Sequence, residues 1–75
     1  MSPELGNVRP AHVVSALVKA GLVVKRQTGS HVIMYKPGTP RPVTVPMHRK
    51  DLPIGTIRAI IRQAGLTVDE FVNLL

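Results

Sequence analysis

Cysteine is absent from this 75-residue chain. That excludes disulfide scaffolds, Cys-based zinc sites and thiol nucleophiles. Aromatic residues are nearly absent too, being only Tyr35 and Phe71. The core must therefore be aliphatic, and a platform of exposed rings for stacking bases is disfavoured. Acidic residues are scarce, with four Asp+Glu against ten Lys+Arg, so no paired-carboxylate site is legible. No Gly-rich phosphate loop and no nucleophile elbow occurs. Apolar runs such as Val32–Tyr35 are far too short to cross a bilayer. The segment Met1–Glu4 lacks a basic stretch leading into an apolar one, so the expected location is cytoplasmic.

What is present is an apolar fraction of 44%, enough for a small folded core and too much for a disordered tail. The length fits a single domain over residues 1–75, with 1–9 as a loose lead-in. Pro10 suits a first helical turn, with Arg9 as a poor N-cap. Val13, Ala16, Leu17 and Ala20 form an apolar stripe at helical spacing, and Gly21 is a natural stop. Three strands follow: Leu22 to Gln27, His31 to Lys36, and Val43 to Val45, the last ended by Pro46. Thr28-Gly29-Ser30 joins the first two, and Pro37-Gly38 fits the centre of a type II turn. Pro53 marks another helix start, with Asp51 near its positive end and a stripe of Ile54, Ile57, Ile60 and Ile61. Gly65 ends that helix. Thr67 and Glu70 form a capping box for a last short helix to about Leu74, with Leu66 and Phe71 as a hydrophobic staple. The predicted class is α+β, in the order α-β-β-β-α with a helical appendage. The short connections make the three strands sequential neighbours in an antiparallel sheet. The helices are expected on one face of it, leaving the other partly open.

The charge is concentrated. Lys25, Arg26, Lys36, Arg41, Arg49 and Lys50 fall in one stretch without an acidic residue, in a chain of net charge +6. Such a patch suits nucleic acid, an anionic membrane surface or an acidic protein. Lysine on an edge strand also blocks sheet-to-sheet association, which is the plainer reading.

If the chain does chemistry, histidine must carry it. His12, His31 and His48 show no local metal-binding spacing, so neither a metal nor another cofactor is expected. His12 reads as an exposed helical residue and His48 as a structural partner for the following loop. His31 follows a tight turn, opens a strand and lies between Lys25-Arg26 and Lys36. An imidazole there, with nearby cations, is a minimal set for cleaving an RNA phosphodiester. Tyr35, on the same strand face, or a water is a candidate second proton-transfer group. A lone hairpin histidine is otherwise merely hydrogen-bonded and idle.

The segment Arg26-Gln27-Thr28-Gly29-Ser30-His31, then Val45-Pro46-Met47-His48, then Gly55-Thr56-Ile57-Arg58 through Gly65-Leu66 resembles the HicA family of toxins from bacterial and archaeal toxin–antitoxin pairs. The resemblance covers about residues 9 to 75. It implies a fold like the double-stranded RNA-binding domain and a ribosome-independent mRNA endonuclease. The histidine of Gly-Ser-His, here His31, would be catalytic. Lys25, Arg26, Ser30 and Lys36 are the expected RNA contacts, and a HicB-like antitoxin the expected protein partner. Two positions depart from the family pattern. Gly21-Leu22 stands where Gly-Phe is common, and Arg9 stands where a Ser or Thr cap is common. Neither touches His31. The alternatives are a non-catalytic RNA-binding module of the same fold and a structural module whose basic face binds an acidic protein.

Overall fold

Pro10 opens helix α1 (Pro10–Lys19), and Arg9 precedes it in extended conformation without a side-chain cap. In the computed structural model, which describes residues 8–38, 41–47 and 50–75, strands β1 (Val23–Thr28), β2 (His31–Tyr35) and β3 (Val43–Pro46) follow. Helices α2 (Ile54–Gln63) and α3 (Val68–Leu74) complete the order α-β-β-β-α-α. The class is α+β, consistent with a fold like the double-stranded RNA-binding domain.

Helices α1 and α2 stop by the same device. Gly21 and Gly65 take φ of 101° and 77°, a conformation that costs glycine nothing. The next amide reaches back five residues, from Leu22 to the Leu17 carbonyl at 3.0 Å and from Leu66 to the Ile61 carbonyl at 3.1 Å. This closure satisfies carbonyls that the helix end would orphan.

The three strands form an antiparallel sheet in the order β1-β2-β3, so β2 is central. Val32 and Met34 of β2 and Val43 and Val45 of β3 are buried, paired as Val32↔Val45 and Met34↔Val43. Cross-strand partners share a face, so these four mark the side the helices cover. There they join Val13, Ala16 and Leu17 of α1, Ile57, Ile60 and Ile61 of α2, and Phe71 of α3. His31 and Tyr35 lie on the opposite, uncovered side and are exposed. The expected one-sided arrangement of helices is therefore present.

The structure corrects several local expectations. Strand β1 starts one residue later than its sequence pattern indicates, because Leu22 is used in the closure of α1 and is buried there. It also runs one residue further. Thr28 pairs with His31, leaving a two-residue turn, Gly29-Ser30. Ile54 is 49% exposed despite belonging to the isoleucine stripe. As the first residue of α2 it lies beyond the surface that Ile57, Ile60 and Ile61 bury. Of the expected lead-in, residues 1–7 lie outside the described residues. Val8 is buried, and its carbonyl accepts from the Leu52 amide at 3.0 Å.

The capping box of α3 is formed. The Glu70 amide donates to Thr67 Oγ1 at 3.1 Å, and the Thr67 amide donates to Glu70 Oε1 at 2.8 Å. The Thr67 amide, then its hydroxyl and more weakly Lys36 hold the Glu70 carboxyl below the usual glutamate range, against a smaller desolvation effect. A depressed folded-state pKa stabilises the fold above the unfolded value, and that contribution fades as pH falls through the folded one. Thr67→Ala is expected to cost about 1 kcal/mol, lowering the melting temperature by roughly 4–8 °C. Glu70→Gln, which keeps the box, should reduce the loss of melting temperature below about pH 4. Thermal melts from pH 7 to pH 3 check both.

Candidate active site

Three rows of side chains cross the uncovered face of the sheet, as fixed by the strand register. One row is Thr28–His31–Pro46, the next is Arg26–Ile33–Thr44, and the third is Val23–Tyr35. His31 is the first residue of the central strand, so it is flanked on both sides by backbone. Its neighbour Ser30 is tied down from β3, since the Met47 amide donates to the Ser30 carbonyl. The turn carrying Gly29, at φ 52°, is thus anchored to both outer strands. The Ser30 hydroxyl lies 3.4 Å from His31 Nδ1, a contact that helps orient the ring.

The register places Thr28 directly opposite His31. The sequence pattern places Thr28 in the turn. Recognising Gly29-Ser30 as a two-residue hairpin connection was the signal that would have found it.

Arg26 shares the uncovered face with His31, one row away. Lys25 falls at the irregularity between Val24 and Arg26 and has no ladder partner. Lys36 follows the other end of β2, five residues from His31, or about 17 Å of extended chain. It lies where a side chain on Gly21 would meet its Cε at 3.8 Å, and its charge acts on Glu70. Of the four expected RNA contacts, Ser30 and Arg26 are thus close to His31 and Lys36 is remote. Tyr35 is on the same face as His31 but four residues away, about 13 Å along the strand.

His12 is exposed on α1, on the wall of a separate groove of about 420 Å³ with Ser15, Lys19 and Leu74. His48 and Arg49 lie outside the described residues. Among the described residues, no three His, Cys, Asp or Glu side chains group as metal ligands do, and no helix is long and apolar enough to cross a membrane.

Comparison with protein families matches residues 11–66 to the family described as the HicA toxin of bacterial toxin–antitoxin systems. The match includes α1 from its second residue, the whole sheet and α2, and so it contains every residue of the three rows. Helix α3 lies beyond it. No curated protein matches the chain.

Proposed function

The chain belongs to the HicA toxin family of bacterial toxin–antitoxin systems, and from that membership we propose that it is a ribosome-independent endonuclease of mRNA acting through His31. Membership implies a cognate antitoxin, and a HicB-like protein that covers the His31 face is the partner proposed here. The compartment in which mRNA is met is the cytoplasm. The observation that carries the reading is the position of His31. It stands exposed at the anchored end of the central strand, on the sheet face that none of the described helices covers, with Arg26 one row away.

The chemistry suits that position. An RNA strand laid across the uncovered face brings a 2′-hydroxyl to the imidazole. His31 takes the hydroxyl proton, and the 2′-oxygen attacks the adjacent phosphorus. The bond from phosphorus to the 5′-oxygen breaks, giving a 2′,3′-cyclic phosphate, and water protonates the leaving oxygen. A nearby cation stabilises the extra negative charge of the phosphorane. The nucleophile belongs to the substrate, so the route needs no metal-generated hydroxide. Lys25 and Lys36 hold flanking phosphates by charge.

The test is an RNA oligonucleotide carrying one 2′-deoxy sugar at the mapped cleavage position, assayed with and without EDTA. The modified site should resist, and chelation should leave cleavage of the unmodified strand unchanged. Cleavage at the 2′-deoxy position, or activity lost to EDTA and restored by magnesium, would overturn the mechanism. Binding without any cleavage would instead favour the non-catalytic RNA-binding module.

A further inference from the structure

Strand β1 carries a β-bulge next to the site, and the register on its hairpin side decides which of two adjacent cations faces His31. Val24 pairs with Met34, yet the next ladder partner on β2, Ile33, pairs with Arg26. Lys25 is the inserted residue. In a regular ladder, Lys25 would stand opposite Ile33 and Arg26 opposite Val32. Val32 is buried on the helix-covered side, so Arg26 would be turned away from His31. The ladder counted from the hairpin, Thr28↔His31 and Gln27↔Val32, instead brings Arg26 to the uncovered face, and the inserted Lys25 takes up the mismatch with Val24.

We propose that Arg26, placed by the hairpin register, is the residue that contacts the scissile phosphate beside His31, and that Lys25, the bulged residue, is not. This rests on the reading of the chain as an RNA-cleaving enzyme. Arg26 and His31 stand on adjacent strands in the diagonal relation, which sets their Cα atoms about 7–8 Å apart. That gap suits a phosphate held between a guanidinium and an imidazole. The planar guanidinium fork donates two parallel hydrogen bonds to phosphate oxygens, and it stays charged at every physiological pH. Arg26 is exposed and reaches outward from an edge strand, so it meets the substrate without displacing core residues. Lys36 does not compete for this role. It follows the far end of β2, beside Gly21.

The experiment compares Arg26→Ala, Arg26→Lys, Lys25→Ala and a deletion of Lys25 in single-turnover cleavage of one RNA oligonucleotide. Circular dichroism is recorded for each variant, and His31→Ala serves as the reference for lost chemistry. Arg26→Ala should lower the rate at saturating RNA by about 100-fold, the loss typical of removing one donor to a developing charge. Arg26→Lys should recover part of that loss, because it restores charge without the fork. Lys25→Ala should change the saturating rate less than about threefold and act mainly on binding and its salt dependence. Deleting Lys25 gives a regular ladder that still sets Arg26 opposite Ile33, so that variant should lose RNA affinity as Lys25→Ala does while its rate at saturating RNA stays within about threefold of wild type.

Equal losses at the two positions, a larger loss at Lys25, or an Arg26 effect confined to binding would overturn the assignment. If Arg26→Ala stays active while His31→Ala is dead, Arg26 is excluded and the nuclease reading stands. If the wild-type protein leaves RNA intact, that reading falls, and the role of Arg26 falls with it.

Discussion

Replacing His31 with alanine is expected to abolish RNA cleavage and growth inhibition while leaving the fold unchanged. General acid–base catalysis by one positioned side chain contributes on the order of 10²- to 10⁴-fold, so a residual rate at or near background is expected. The structural cost should be small. His31 is exposed and is not one of the buried core residues, so its truncation opens no cavity in the core. Its place in the ladder, opposite Thr28 and Pro46, depends on backbone. Surface substitutions of this kind usually change stability by no more than about 0.5 kcal/mol. Circular dichroism and thermal melting should overlay those of the wild type, and induced expression should no longer arrest growth. A folded His31→Ala protein that remains fully toxic would remove His31 from the mechanism.

The largest effect on stability is expected at Phe71. It is the only phenylalanine in the chain and is completely buried. It sits in α3, which touches both α1 and α2, so its ring helps to join the two longer helices over an otherwise aliphatic core. Truncating such a residue to alanine costs roughly 3–5 kcal/mol. At about 0.05–0.15 kcal/mol per residue, a domain of this size holds only some 4–11 kcal/mol in total. Phe71→Ala should therefore consume most of the stability, with a large drop in the urea midpoint and a substantial unfolded population at 37 °C. Ile54→Ala is the control. It removes a side chain that is 49% exposed and should cost about 0.5 kcal/mol or less. A Phe71→Ala protein that melts like the wild type would show α3 to be dispensable. The test is informative because α3 lies outside the segment matching the family, residues 11–66.

Much of this fold was legible in the chain because its signals are local. Pro10 at the start of α1, Gly21 and Gly65 at the ends of α1 and α2, and Thr67 with Glu70 at the start of α3 each act within a few residues. Their geometry is set by sterics and hydrogen bonds that need no distant partner. The burial of Val43 and Val45 around Thr44 was likewise readable, because strand side chains alternate between faces, whereas the unbroken apolar run Val32–Tyr35 does not say which of its faces is buried. His31 as a candidate rests instead on the resemblance carried by Gly29-Ser30-His31 and the segments after it.

Tertiary structure alone decided what depends on pairing between elements. The bulge at Lys25 leaves no mark in the run Val23–Thr28, because either register satisfies the local preferences of an exposed edge strand. Only the ladder to β2 shows that Arg26, and not Lys25, is opposite Ile33. Lys36 and Tyr35 were close to His31 in sequence, but an extended strand carries each residue about 3.3 Å further away, and the centre of the sheet separates them. Val8 is buried because Leu52, distant in sequence, holds its carbonyl by a hydrogen bond. Ile54 is exposed because the sheet and α3 cover only the stripe beginning at Ile57. Composition and near-neighbour chemistry set the elements, and the family resemblance singled out His31 as the candidate. Long-range register set which cation stands beside it, because a one-residue slip in pairing changes the face of every side chain that follows.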